Sequence, residues 1–162
     1  MVKKQKIKKG NHYANSWWFP PFITLSNNIK GTVKFNSDFE YNSNGDTNKL
    51  IGLSDNWHHH KDSIRLGWRW NNTLDCLEIM IIKYSKSIRE ISLLKRINKS
   101  DLTKKHDFEI IIEKENYLIS FSGETKTLKR DSKWSFLRVI LKPYFGGKDK
   151  APKDFKFNIK TR

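Results

Sequence analysis

The stretch SIRLGWRW, residues 63 to 70, alternates strictly between two kinds of side chain. Ile64, Leu66, Trp68 and Trp70 are apolar, while the residues between them are Ser, Arg, Gly and Arg. Because successive side chains of a strand point to opposite faces, this pattern predicts a strand with one face in a core and two arginines on the other. The two tryptophans are therefore expected to fill the core.

Other segments are also typical of strands. GTVKFNSDFEYN (31 to 42) and DFKFNIK (154 to 160) alternate, and LDCLEIMIIKYS (74 to 85) is an apolar run typical of a central strand. IREISLLKRI (88 to 97) is ambiguous, because its apolar residues also fit the stripe of a helix. Eight or nine strands with short turns and no internal repeat predict an all-β fold, an antiparallel two-sheet sandwich with a single core.

Three longer segments carry a family resemblance: KKGNHYANSWW (8 to 18), NKLIGLSDNWHHHKDSIRLGWRW (48 to 70) and LKPYFGGKDKAP (141 to 152). They resemble the KGxHxAN, HHxxSxRxGWRW and PYFGGxxxAP motifs of a group of small proteins of gut anaerobes and their phages. The resemblance spans nearly the whole chain. It implies a jelly-roll sandwich of the concanavalin or laminin-G type, and it favours a strand for residues 88 to 97.

Positive charge is concentrated at the two ends of the chain, whose formal net charge is +15. We predict a flexible basic arm over residues 1 to 12, followed by one sandwich domain over residues 13 to 162, although residues 7 to 15 could include an edge strand. The arm is expected to dock on an acidic protein surface or to make non-specific contact with a polyanion. Its basic residues are Lys3, Lys4, Lys6, Lys8 and Lys9.

Aromatic and polar residues near the histidine run are candidates for binding a glycan. Aromatic rings can stack on the C–H faces of sugars, while Arg and His can bind the hydroxyl groups. Trp57 lies in a polar loop and is therefore a better stacking candidate than Trp68 or Trp70, while Trp134 is a further platform of this kind. The predicted glycan-binding residues are Trp57, His58, His60, Arg65, Arg69 and Tyr144.

The run His58 to His60 does not predict a metal site. In an extended chain only His58 and His60 share a face, so a third ligand, such as His12 or His106, would have to come from elsewhere. The one cysteine, Cys76, excludes an intrachain disulfide and is predicted to be a small buried hydrophobe. We predict no metal and no cofactor.

No pair of catalytic carboxylates stands out. Glu78 and Glu90 could face each other across neighbouring strands, but the E-x-D-x-E motif of sandwich glycanases is absent from the sequence. A lyase-like set of Tyr84, Tyr144, Arg65 and His58 can be drawn, but many sandwiches rich in Tyr and Arg would satisfy it. No catalytic residue is therefore assigned.

These observations favour a non-enzymatic protein, an accessory or decoration protein of a phage capsid or virion that docks on a virion protein. The alternative is a lectin-like carbohydrate-binding module, and a polysaccharide lyase or glycoside hydrolase ranks below both. The amino terminus has no apolar stretch after its lysines, and no run of about 18 apolar residues occurs. We therefore expect synthesis in the cytoplasm without a signal peptide, no membrane partner, and a location in the virion.

Overall fold

The computed structural model describes residues 2–14, 22–55, 57–131 and 137–161, and it consists of two antiparallel sheets of six strands each. Sheet A contains, in spatial order, β1 (Val2–Ile7), β12 (Phe155–Thr161), β3 (Asn28–Phe35), β8 (His106–Ile112), β9 (Asn116–Phe121) and β10 (Glu124–Lys129). Sheet B contains β2 (Phe22–Thr24), β11 (Arg138–Leu141), β4 (Asn48–Ser54), β5 (Ser63–Asn71), β6 (Cys76–Ser85) and β7 (Ile88–Asn98). A short 3-10 turn covers Lys99–Asp101. No helix among the described residues is long and apolar enough to cross a membrane.

The ambiguous segment is strand β7, so the helical alternative is wrong for it. Its pairing with β6 shifts by one residue, because Ile79 pairs with Lys95 while Met80 pairs with Leu93. Leu94 is the extra residue of this bulge. A bulge changes the phase of the alternation, so the apolar residues of β7 do not keep a two-residue period across Leu94.

The core lies between the sheets and is centred on Trp68. Its ring is fully buried, with ring centroids 4.6 Å from Phe39, 5.0 Å from Phe155 and 5.8 Å from Phe145. Trp70 is also buried. The prediction from the 63 to 70 alternation is therefore confirmed for both tryptophans, and Cys76 is buried as predicted.

The amino-terminal lysines do not form the flexible arm that we expected. Residues 2–7 are β1, which pairs with β12 along its whole length, and the side chain of Ile7 is fully buried in the core. Lys6 forms an ion pair of 2.5 Å with Asp154, and the Lys9 amide donates to the same carboxylate. Backbone pairing and the anchoring of Ile7 hold the segment in place.

A buried carboxylate, Asp55, joins the two sheets. Asp55 follows β4 of sheet B and accepts hydrogen bonds from Tyr117 Oη of β9 (2.9 Å) and from Arg130 Nε (3.0 Å), which follows β10 of sheet A. Arg138 Nε of β11 lies 3.7 Å from the same carboxylate. All of these ionic side chains are buried, so they depend on each other for charge compensation.

We predict that Trp68→Ala lowers the free energy of unfolding by about 3 to 5 kcal/mol, because it leaves a large cavity in the core. Trp57→Ala is the matched control, since Trp57 is 61% exposed, and its effect should stay within about 0.5 kcal/mol. Urea unfolding measures both. Similar losses for the two variants would contradict the central role of Trp68.

We also predict that Asp55→Asn destabilises the protein by about 3 kcal/mol or more, because it leaves buried arginines without a counter-charge. Asp107→Asn removes a carboxylate from an exposed position of β8 and serves as the control. Equal melting temperatures for the two variants would show that the Asp55 ion pairs contribute little to stability.

Candidate functional site

The outer face of sheet B, which points away from sheet A, carries most of the candidate residues. On β5 the outward positions are Ser63, Arg65, Gly67 and Arg69, because the residues between them belong to the core. Cross-strand pairing joins Arg65 to Ile82, and Arg69 to Glu78.

Arg65 lies under the loop between β4 and β5 and is only 5% exposed. Its Nη2 donates to the His59 carbonyl at the long distance of 3.4 Å, and its Nε has no hydrogen-bond partner. Its guanidinium lies 5.8 Å from the centre of the Tyr84 ring. Burial lowers the pKa of Arg65 to about 10, and no described carboxylate forms an ion pair with it. A buried cation without a counter-charge is unfavourable unless another group supplies the charge.

The histidine loop closes over Arg65 as a turn rather than as an extended chain. The Lys61 amide donates to the His58 carbonyl (2.7 Å), and Ser63 Oγ donates to the His59 carbonyl (2.6 Å). The His60 ring packs edge-on against Tyr84, at a centroid distance of 5.0 Å. The turn therefore places both His59 and His60 near Arg65.

Two imidazoles of this loop, those of His59 and His60, are held in their neutral form. Burial, and then the positive charge of Arg65, lower the pKa of His59 to about 4. The same two causes lower the pKa of His60 below its usual range. A neutral histidine that is exposed, as His60 is, can accept a proton at neutral pH.

Lys49 and Tyr144 continue this face toward the edge of the sheet. Lys49 Nζ donates to the Gly146 carbonyl (2.8 Å) and lies 5.1 Å from the centre of the Tyr144 ring. Burial, then Arg65 and Arg89, lower the pKa of Lys49 to about 8. Tyr144 also stacks on His12 at a centroid distance of 5.2 Å. We refer to Lys49, His59, His60, Arg65, Tyr84 and Arg89 as the Arg65 cluster.

A second group lies further along the same face, and we call it the Glu78 cluster. Glu78 accepts hydrogen bonds from Arg69 Nε (2.7 Å), Arg96 Nε (3.1 Å) and Asn71 Nδ2 (3.1 Å). Its carboxylate is almost completely buried beneath the two arginines. Despite the cost of burial, these donors lower the pKa of Glu78, so it is ionised.

The predicted glycan-binding residues are only partly brought together. Arg65, His60 and Tyr144 lie in or beside the Arg65 cluster, and Arg69 lies in the Glu78 cluster. Trp57 and His58 are exposed in the loop, and among the described residues neither side chain forms a hydrogen bond or a ring contact with either cluster. Trp134 lies outside the described residues. Sequence reasoning missed the parts played by Lys49, Arg89 and Arg96, whose positions depend on strand register. It also missed His59, whose position depends on the turn of the loop.

The carboxylates considered for hydrolysis do not meet. Glu90 of β7 pairs with Lys83 of β6, and paired residues share a face of the sheet. Lys83 is an odd number of residues, five, from Glu78 on the same strand, so Glu78 and Glu90 lie on opposite faces of sheet B. His106 is distant from the loop, since it belongs to β8 of sheet A. Within the described ranges, no group of three or more His, Cys, Asp or Glu residues is arranged to hold a metal ion.

The fold is similar to that of solved glycan-cleaving enzymes. A family 16 glycoside hydrolase from Bacteroides ovatus, in complex with a mixed-linkage glucan product, matches at TM-score 0.56 and 17% identity, over 99% of this chain and 81% of the other. An alginate lyase from Pseudomonas aeruginosa matches at TM-score 0.58 and 11% identity, over 91% of this chain and 75% of the lyase. Another alginate lyase, in complex with dimannuronate, matches at TM-score 0.64 and 12% identity, over 99% of this chain and 73% of the lyase. No protein-family profile and no curated protein sequence matches the chain.

These neighbours confirm the predicted all-β sandwich of the jelly-roll type. They also overturn two predictions about function. The neighbours are hydrolases and lyases, so the predictions of a non-enzymatic protein and of an accessory protein of a phage particle are wrong. None of these neighbours supports a capsid partner, whereas their bound glycans agree with the predicted glycan partner.

We predict that Arg65→Gln raises the pKa values of His59 and His60, because it removes the positive charge that opposes protonation of both rings. Proton NMR of the imidazole groups across a pH titration measures this. His106 is the internal control, since Arg65 is not among the causes of its shift. Unchanged pKa values for His59 and His60 would contradict their electrostatic coupling to Arg65.

Proposed function

We propose that this protein cleaves a uronate-containing polysaccharide by β-elimination at the Arg65 cluster. The observation that carries this proposal is Arg65, a buried guanidinium with an unbonded Nε and no ion-pair partner among the described carboxylates. The carboxylate of a uronic acid supplies the charge that the site lacks. Perturbed ionisable groups that converge on one face are a mark of functional sites.

The cluster contains the groups that this reaction needs. In β-elimination a base removes the proton from the carbon beside the carboxyl group, the bond to the glycosidic oxygen breaks, and a carbon–carbon double bond forms. The departing oxygen takes up a proton. The positive charges of Arg65 and Lys49 stabilise the negative charge that develops on the carboxyl group. His60, exposed and with a lowered pKa, is the base in this scheme, and Tyr84 beside it is the proton donor.

Hydrolysis is less well supported, although family 16 hydrolases share the fold. That reaction uses two carboxylates about 5 to 10 Å apart. Glu78 lies on the outer face of sheet B, but Arg69, Arg96 and Asn71 occupy it. The net charge of +15 also favours an acidic polymer over a neutral glucan, because it attracts polyanions over long range.

The test is to incubate the full chain with polymannuronate, polygalacturonate and mixed-linkage glucan. We expect the ultraviolet absorbance of an unsaturated uronate to appear with at least one acidic polymer and not with the glucan. New reducing ends from the glucan, without this absorbance, would instead indicate a hydrolase and overturn the proposal. Absence of product from every polymer would also contradict it.

Variants then assign the roles. His60→Ala and Arg65→Gln should each lower kcat on the cleaved polymer about a hundredfold or more, because they remove the base and the charge that stabilises the intermediate. His58→Ala is the matched control in the same loop, and its kcat should remain near that of the unchanged protein. Equal losses for His58→Ala and His60→Ala would contradict the assignment of His60.

A further inference from the structure

The Glu78 cluster has more positive charge than its one carboxylate can neutralise. Both arginines bind Glu78 through Nε, and their terminal Nη groups make no hydrogen bond with any described residue. Glu78 is 1% exposed, whereas the side chains of Arg69 and Arg96 are 34% and 50% exposed. The buried carboxylate therefore fixes two guanidinium groups whose free donors are open to solvent. Such donors suit a carboxylate, which can accept two parallel hydrogen bonds.

The position of the cluster relates it to the proposed active site. Arg69 is four residues from Arg65 on β5, so the two lie on the same face, about 13 Å apart at 3.3 Å per residue. Between them, Gly67, Met80 and Leu93 occupy paired positions of β5, β6 and β7, without a charged side chain. Along the strand direction, a positive group thus lies on either side of these three uncharged positions.

We infer that the Glu78 cluster is a second anion-binding subsite, which holds the carboxylate of another sugar in the same uronate chain. The choice of ligand rests on the proposed function. One sugar ring is shorter than the spacing between the two arginines on β5, so the two carboxylates belong to different sugars. The subsite therefore selects for a polymer with repeated acidic sugars over a short or neutral one.

The test measures affinity separately from cleavage, by electrophoresis of the folded full chain through gels that contain polymannuronate. Arg96→Gln should weaken retention about tenfold, as expected for the loss of one charge-assisted contact. Lys114→Gln removes the same charge from the exposed turn between β8 and β9 of sheet A, and it should bind like the unchanged protein. Equal binding by these two variants overturns the subsite.

The variant Glu78→Gln distinguishes binding at arginines that Glu78 positions from non-specific electrostatic attraction of the polymer. This change makes the protein more positive, so bulk charge would strengthen binding. If Glu78 positions the arginines, binding weakens instead. Melting temperatures of all variants identify any loss of folding. If Glu78→Gln fails to fold, the comparison of Arg96→Gln with Lys114→Gln still tests the subsite.

The outcomes for the subsite and for the reaction are distinguishable. Retention of the unchanged protein without unsaturated product rejects the elimination reaction, while the Arg96→Gln comparison still tests the subsite. Cleavage of polymannuronate with an unchanged KM for Arg96→Gln leaves the reaction in place and rejects the subsite. A rise in KM with kcat unchanged supports it, because a purely structural role of Glu78 and Arg96 would alter stability and not substrate affinity. No retention of the unchanged protein rejects this class of ligand.

Discussion

The Asp55 carboxylate is the constraint on which the two-sheet arrangement and the candidate site both depend. It receives hydrogen bonds from Tyr117 and Arg130 of the sheet A side, while it directly follows β4 of sheet B. Its backbone amide donates to the Asp62 carbonyl (3.1 Å), and Ser54 Oγ donates to the same carbonyl (3.0 Å). These bonds close the base of the histidine loop. The interaction that joins the sheets therefore also fixes the loop that covers Arg65.

The alternation of residues 63 to 70 was enough to predict a sandwich strand and its buried tryptophans, because a two-residue period depends only on local geometry. A two-residue period did not predict strand β1. There the sequence is VKKQKI, without apolar alternation, and among residues 4 to 7, whose burial is described, only Ile7 lies in the core. An edge strand held by backbone pairing leaves little trace in a hydrophobic pattern. The resemblance to proteins of gut anaerobes and their phages stays a prediction.

The candidate site was predictable only in part, for two physical reasons. Arg65 and Arg69 were expected to point outward together, and they do, since this follows from alternation alone. Tyr84 and Arg89 join Arg65 only through the pairing of β5, β6 and β7, which the sequence does not specify. The assumption of an extended histidine run was also wrong: the loop turns, so His59 as well as His60 lies near Arg65. Loop conformation is set by contacts with residues distant in sequence.

The two enzyme classes that share this fold require different side chains on the same kind of sheet, and fold alone does not choose between them. Hydrolysis requires an acid and a base or nucleophile that are both carboxylates. Elimination requires positive charge beside the substrate carboxylate and a neutral base. On the outer face of sheet B, Glu78 already neutralises part of the charge of two arginines. Arg65 has no ion-pair partner among the described residues, and burial together with its charge keeps His59 and His60 neutral. The charges on this face, rather than the path of the backbone, therefore favour elimination.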